Sequence, residues 1–233
     1  MKHFLILLIA VFTLASCDHT TGSGIIVSET RSTGSFDAIS AGGSFDVEVK
    51  MGDKTSVVVE ADDNIIKYIE TKVSGNTLKI RTEDLHSYSN VHMKVYVTVP
   101  VLTAISTSAS AEVVGENILT SADKLVFKAS SSSSIKAEVN APEIVTDASS
   151  SATITLTGKT KIHKSEASSS ANVEAFGLLS ENSTANVSSS ANIEVHASVS
   201  LNARASSSGS VEYKGAATVT KSENSSGSVS KKD

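Results

Sequence analysis

The chain has 233 residues and a formal net charge of −5, with 39% hydrophobic but only 4% aromatic residues. This length suffices for one elongated domain or two small globular domains. We do not expect a mildly acidic chain without a basic cluster to bind nucleic acid, because Lys and Arg must replace the counterions on the phosphates.

Residues 1–16, MKHFLILLIAVFTLAS, predict a lipoprotein signal peptide. Lys2 supplies a positive start, and the apolar run over residues 4–14 is too short to span a bilayer comfortably. The following segment, Leu14-Ala15-Ser16-Cys17, resembles the lipobox of bacterial lipoproteins, in which the cysteine becomes the N-terminus and carries diacylglycerol. The alternative is an ordinary secretory signal with an incidental cysteine. Cys17 is the only cysteine, so its lipidation would explain an unpaired thiol in an exported protein.

Residues 17–28 are predicted to be the lipidated Cys17 and a flexible tether. The stretch DHTTGSG over residues 18–24 is polar and rich in glycine, a composition typical of flexible linkers. Several acyl chains on one cysteine would make a stable membrane anchor, where a single chain is marginal.

Residues 29–100 show the alternation of β-structure. In SFDVEVK the residues on one face are Phe45, Val47 and Val49, and VHMKVYVTVP alternates in the same way up to Pro100, which ends the ladder. KVSGNTLKI predicts a hairpin around residues 74–76. DDNIIKYIE predicts a short helical turn that Asp62 or Asp63 caps.

Residues 101–233 repeat a Ser-rich pattern with a period near 20 residues, which is typical of stacked coils. One β-branched residue marks each repeat, and these anchors are Val113, Ile135, Ile154, Val173, Ile193, Val211 and Val229. Even offsets from the anchor carry small or apolar residues and odd offsets carry polar ones, as a strand with one buried face requires. We predict an all-β fold for residues 29–233, a single elongated parallel β-solenoid (β-helix).

The serines four places before the anchor would point inward in this register and would need hydrogen-bond partners. They are Ser131, Ser150, Ser169, Ser189 and Ser207. A disordered Ser-rich stalk has the same composition but no reason to keep Val or Ile in register through seven repeats. A β-sandwich would accommodate residues 25–100 without explaining the later period.

The sequence from Phe36 onward resembles the bacterial family described as putative auto-transporter adhesin, head GIN domain. The resemblance lies in the order and spacing of GGSFDVEV, VVVEADDNIIKYIE, GNTLKI and a V-x-V-P-x-L segment. It implies a β-helix-like fold in an exported or lipid-anchored envelope protein. The family offers no catalytic residues to carry over.

The sequence shows no assembled catalytic set, and we predict that the protein is not an enzyme and has no cofactor. It lacks a G-x-S-x-G elbow, a phosphate-binding loop and an H-E-x-x-H motif, and His86 and His92 stand six residues apart without a cysteine nearby. A polysaccharide-cleaving enzyme is the least favoured alternative, since β-helix folds host such enzymes. That chemistry needs clustered carboxylates or a metal with a basic residue.

Three glutamates, Glu174, Glu194 and Glu212, share one column on successive coils, about 5 Å apart at strand spacing. They are either solvated, screened carboxylates or a weak site for a divalent cation such as Ca²⁺. The same side of the solenoid provides a candidate binding face, which comprises Thr153, Asn172, Asn192, Glu174 and Glu194.

The leading functional hypothesis is a lipid-anchored envelope protein, expected in the outer membrane, that presents a rigid polar surface to a protein or glycan partner, as an adhesin does. The alternative is a structural or assembly lipoprotein facing the periplasm. DHTT after Cys17 has no acidic run of the kind associated with surface export in some lipoproteins, which keeps this alternative open. At the other end, Lys231, Lys232 and Asp233 are predicted to discourage end-to-end stacking.

Overall fold

The computed structural model describes residues 18–83 and 86–233. The predicted signal peptide and Cys17 lie outside the described residues. Within these two ranges, no helix has the length and apolar character that crossing a membrane requires.

Strands make up most of the described chain, with one 3-10 turn at Ile66–Tyr68. The strands up to Pro100 are β1 Asp18–Thr21, β2 Ile26–Arg31, β3 Ala38–Gly42, β4 Asp46–Met51, β5 Ser56–Asp62, β6 Ile69–Ser74, β7 Thr77–Thr82, β8 His86–Ser89 and β9 Met93–Val99. Those after Pro100 are β10 Ala104–Ser108, β11 Glu112–Gly115, β12 Leu119–Thr120, β13 Lys124–Ala129, β14 Ser134–Ala148, β15 Thr153–Ala167, β16 Asn172–Ala175, β17 Leu178–Val187, β18 Asn192–His196, β19 Ser200–Ala205, β20 Ser210–Lys214, β21 Thr218–Glu223 and β22 Ser228–Lys231.

The strands after Pro100 stack as parallel coils. Each coil has an incoming strand, which leads into a Ser-rich turn, and an outgoing strand, which leaves it. The incoming strands are β10, β13, the C-terminal halves of β14, β15 and β17, and then β19 and β21. The outgoing strands are β11, the N-terminal halves of β14 and β15, and then β16, β18, β20 and β22. The predicted parallel β-solenoid is confirmed.

The seven anchors form one continuous column inside the solenoid. Each anchor is paired with the next one along the chain, from Val113 opposite Ile135 to Val211 opposite Val229. All seven are buried, and burying such a side chain stabilises the fold by about 1.5–3 kcal/mol. Val47 and Val95 extend the column toward the N-terminus.

The prediction of inward serines four places before the anchor is wrong. Ser131, Ser150, Ser169, Ser189 and Ser207 are all exposed, and each has a φ between 49° and 54°. The residue after each one also has a positive φ, and the turn closes by a backbone hydrogen bond such as Ala171 N to Ser168 O, 3.2 Å. Two consecutive left-handed residues reverse the chain and interrupt the strand alternation. The turns are also joined along the solenoid by backbone bonds such as Ser170 N to Ser189 O, 3.0 Å.

Residues 52–100 form a cap over the N-terminal end of the solenoid. β9 and β7 stack in parallel on β4 and β3, and these in turn stack on β11 and β10. Beyond them the pairing becomes antiparallel, with β5 on β9, β2 on β5 and β6 on β7. The first coil therefore does not end in an open parallel edge.

Two local predictions in the cap have different outcomes. The hairpin is confirmed, because β6 and β7 pair from Ser74 opposite Thr77, and Gly75 supplies the positive φ of 63°. The helical turn is present at Ile66–Tyr68, but no side chain caps it. The carboxylate of Asp62 instead accepts hydrogen bonds from Gly24 N, 2.6 Å, and His92 N, 2.7 Å.

Residues 18–28, expected as a flexible tether, are largely strand in the structure. β1 pairs in parallel with β8, from Asp18 opposite His86 to Thr21 opposite Ser89. β2 begins at Ile26 and pairs with β5.

The interior of the solenoid contains a small polar cluster around His163. The ring is fully buried, and Thr146 Oγ1 lies 3.2 Å from its Nε2 while donating to Ser165 Oγ at 2.9 Å. Within the described chain, Nδ1 has no hydrogen-bond partner. Burial lowers the pKa of His163 from 6.5 to about 4, because the imidazolium would lose its hydration.

The C-terminal coil carries polar side chains at its outer edge. Lys231, Lys232 and Asp233 are exposed, and Lys232 Nζ lies 3.1 Å from Glu212 Oε1. In the same coil, the Glu223 carboxylate accepts a hydrogen bond from Val229 N at 2.7 Å. The bonded side chain covers a backbone group that another strand would otherwise use.

Candidate functional site

The outgoing strands carry an acidic groove that contains most of the predicted binding face. Its volume is about 250 Å³, and its polar lining consists of Asn172, Glu174, Asn192, Glu194, Ser210 and Glu212. The residues form two columns, since asparagine lies opposite asparagine and glutamate opposite glutamate on β16 and β18. Thr153 continues the asparagine column on β15. The register therefore brings the five predicted face residues together.

Short contacts hold the side chains of the acidic groove. Asn192 Nδ2 donates to Asn172 Oδ1 at 3.0 Å, and Thr155 Oγ1 donates to Glu174 Oε2 at 2.9 Å. Partial burial raises the pKa of Glu194, and the neighbouring carboxylates of Glu174 and Glu212 raise it further. The groove therefore concentrates negative charge, which Lys232, 3.1 Å from Glu212, offsets at the C-terminal end of the column.

The hypothesis of a cation site in this column receives no support from the geometry. The three carboxylates are in register, yet within residues 18–83 and 86–233 no three His, Cys, Asp or Glu side chains are grouped so that they could hold a metal ion. His92, singled out in the sequence, contacts Glu60 Oε1 through Nε2 at 2.9 Å.

The incoming strands carry a second groove that sequence reasoning missed, here called the mixed-charge groove. Its volume is about 410 Å³. One wall is the column Asp147, Glu166, Asn186 and Arg204, and the other wall is formed by Ser168, Ser188 and Ser206 at the start of the turns. Ala148, Ala167 and Val187, whose side chains are buried in the core, lie between the two walls and also line the groove.

The mixed-charge groove continues toward the cap. A further depression of about 290 Å³ shares Asp147 with it and is lined by Ser40, Ser106 and Lys128. Lys128 Nζ lies 3.9 Å from Asp147 Oδ2, whereas no side chain of the described chain pairs with the Arg204 guanidinium. Each residue of this wall column stands seven places before an anchor, an odd offset that predicts an outward side chain. The column could therefore have been found from the repeat period.

The stacked coils, the continuous anchor column and the two lengthwise grooves define the class of the protein, a parallel β-solenoid with polar grooves along its sides. Residues 35–217 match the family model described as putative auto-transporter adhesin, head GIN domain. The chain belongs to this family, as its sequence motifs indicated.

Solved structures with the same fold come from Bacteroides and Parabacteroides species. A putative adhesin of Bacteroides fragilis is 24% identical, with a TM-score of 0.83 over 91% of this chain and 98% of that one. A putative lipid binding protein of Parabacteroides distasonis is 23% identical, with a TM-score of 0.80 over 93% and 100%. A putative adhesin of the same species is 24% identical, with a TM-score of 0.75 over 92% and 100%. A comparison with curated proteins finds no match.

Proposed function

We propose that this protein is a non-enzymatic, lipid-anchored envelope protein that uses the sides of its solenoid to bind an extended partner, as an adhesin does. Its family and two of the structures cited above carry the name of adhesins. The predicted acylation of Cys17 would supply the anchor to the outer membrane.

The observation that carries the proposal is the regular spacing of polar side chains in two grooves. Parallel pairing repeats each wall residue once per coil, at about 4.8 Å intervals. A rigid array of this kind loses little conformational entropy on binding, because its side chains are already positioned. Its natural partner is a polymer, protein or glycan, that makes many weak polar contacts along the solenoid.

Within the mixed-charge groove, Arg204 is the residue best placed to recognise a partner. Its guanidinium has a planar set of donors that suits a carboxylate, and no ion pair inside the described chain engages it. Arg204→Glu should weaken attachment of cells to surfaces coated with acidic glycans or matrix proteins. Lys54→Glu reverses the same charge on an exposed loop away from the groove and should leave attachment unchanged.

Protease treatment of intact cells tests whether the solenoid meets the outside. We expect the protein to be cleaved without permeabilising the envelope. Protection until permeabilisation would exclude adhesion and favour the periplasmic structural role. Activity on a panel of polysaccharides would contradict the non-enzymatic part of the proposal.

Mass spectrometry of the purified protein tests the anchor separately. We expect a diacylglyceryl group on an N-terminal Cys17, and Cys17→Ser should release the protein from the membrane fraction. An unmodified thiol at Cys17 in the membrane-bound protein would refute the lipid anchor.

A further inference from the structure

The backbone of residues 21–25 is hydrogen-bonded onto the cap at nearly every step. Gly22 N donates to Ser89 O at 3.1 Å, Ser23 N to Asn64 Oδ1 at 3.1 Å and Gly24 N to Asp62 Oδ1 at 2.6 Å. Asn64 Nδ2 also donates to Thr21 O at 2.9 Å. A segment with its polar groups paired in this way is not a free linker.

Three consecutive residues of the cap, Asp62, Asp63 and Asn64, provide the side chains that bind residues 21–25. We call this set of contacts the latch. Asp63 Oδ1 accepts a hydrogen bond from Ser23 Oγ at 2.6 Å. Asp62 is only 2% exposed, and the backbone N–H groups of His92 and Gly24 that its carboxylate accepts lower its pKa. The latch therefore uses a buried, charge-assisted hydrogen bond, which is stronger than a neutral one.

Gly22 allows the close approach on which the latch depends. A Cβ atom at this position would lie 2.5 Å from Asn90 O and 2.7 Å from Asp62 Oδ2. Both distances are far below van der Waals contact, so any other residue would push the segment off the cap.

The latch also fixes where the predicted lipid would emerge. Asp18 lies opposite His86 at the start of the β1–β8 pair, and Cys17 is bonded directly to Asp18. β8 contacts the 3-10 turn of the cap, since the Tyr68 and Tyr88 ring centroids are 6.3 Å apart. A lipid on Cys17 would thus leave the molecule at the cap.

We propose that the latch holds the cap directly on the bilayer, so that the solenoid stands with its C-terminal coil farthest from the membrane. This inference rests on the proposed lipid anchoring. A free linker over residues 18–24 would have an r.m.s. reach of about 15 Å and would leave the orientation open. Ile25 and Ile26 beside the latch are 61% and 46% exposed, and the headgroup region of a bilayer accommodates such side chains together with tyrosines.

Energy transfer to an acceptor lipid measures this orientation in the full-length acylated protein bound to phosphatidylethanolamine–phosphatidylglycerol vesicles. Acylated Cys17 does not react with a maleimide dye, so a new cysteine is the only labelled position. Lys67→Cys places the dye on the cap and Ser230→Cys places it on β22. The anchor column spans eight strand spacings from β9 to β22, or about 38 Å. Transfer should be several-fold higher from residue 67 than from residue 230, and equal transfer would overturn the orientation.

Gly22→Val tests the latch itself, and Gly34→Val is the matched control, since a Cβ at Gly34 meets nothing within 4 Å. Gly22→Val should bring the two transfer efficiencies close together, whereas Gly34→Val should keep their difference. A difference that survives Gly22→Val would show that the latch does not hold the orientation.

Failure of the lipid anchor would give a distinct result. Without acylation, the cysteine variants would take up two dyes per chain and would not bind the vesicles. The latch would still be tested in that protein by amide hydrogen exchange, because residues 22–24 should exchange slowly and should exchange at least tenfold faster in Gly22→Val. Fast exchange of these amides in the unaltered chain would overturn the latch whatever the state of Cys17.

Discussion

Acid should destabilise the solenoid through His163. The ring is buried beside Thr146 and has no acidic partner among the residues that the structure describes. Burial lowers its pKa from 6.5 to about 4 on folding. Between pH 6.5 and pH 4 the imidazole is therefore protonated in the unfolded chain and neutral in the folded chain. The free energy of unfolding is greatest above pH 6.5 and decreases as the pH falls toward 4. The difference of about 2.5 pKa units corresponds to about 3 kcal/mol in total, of which about 2.5 kcal/mol is lost by pH 4.5.

Urea unfolding of the wild type and of His163→Leu at pH 7.5 and pH 4.5 checks this prediction. Carboxylates titrate in both proteins, so the difference between their pH dependences isolates the imidazole. His163→Leu should lose about 2.5 kcal/mol less than the wild type over this interval. Ile154→Val alters another buried side chain of the solenoid without removing a titratable group and should keep the pH dependence of the wild type. If His163→Leu and the wild type lose the same stability, the buried neutral imidazole is not a source of acid sensitivity.

Three further predictions concern the coils. Val173→Asp should lower the free energy of unfolding by about 3 kcal/mol or more, because the carboxylate would be buried without a partner. Asn172→Asp, on the outer face of the same strand, should change the free energy of unfolding little. Equal losses in urea unfolding would contradict the register. Ser170→Gly should raise the free energy of unfolding by about 0.5–1 kcal/mol, because Ser170 has a φ of 62°, which glycine adopts without strain. Ser168→Gly is the control and should lower the free energy of unfolding, because Ser168 lies outside the left-handed region. If thermal unfolding shows a loss of stability in both variants, the backbone of the turn is not strained. Glu194→Gln should raise the melting temperature at pH 7 in low salt, because Glu194 lies between the like charges of Glu174 and Glu212. The gain should disappear in about 1 M salt, which screens this repulsion. A gain that does not depend on salt would show that charge repulsion is not its cause.

The repeat period alone predicted most of the coil architecture. A column of β-branched residues at intervals near 20 residues is compatible with stacked coils and with few other folds. In stacked coils, each inward position packs against the equivalent position of the next coil. Val173 and Ile193 are paired and buried as the period required. The exposed face followed from the same register, since odd offsets from a buried residue point outward in a strand.

In the serine turns the structure departs from the strand alternation that the period predicts. Alternation holds only while the backbone stays extended, and Ser169 and Ser170 both adopt positive φ values. Type I′ turns usually use Asn-Gly, so a Ser-Ser pair does not carry the expected signal. The stacking of neighbouring turns, with bonds such as Ser170 N to Ser189 O, stabilises a conformation that the local sequence disfavours.

The arrangement of the cap could not be predicted from the repeat pattern, because it depends on contacts between distant segments. β4 and β11 are adjacent although residues 52–111 separate them, because the chain leaves the first coil, builds the cap and returns to the stack. No period marks such an excursion. The same holds for the latch, in which Gly22 meets the Asp62 side chain through contacts 40 residues apart along the chain.

The class of fold, the family and the residues on each side of the coil could all be predicted from the sequence, because a repeated pattern encodes the neighbours of every repeat. The folded structure was needed to show which outward columns border a groove and how the N-terminal segment is held on the cap. The mixed-charge groove depends on the serine turns, whose positive φ values interrupt the strand alternation beside a periodic column, and the latch joins segments that share no period. The energies of these contacts arise from burial and hydrogen-bond geometry that exist only after the chain has folded.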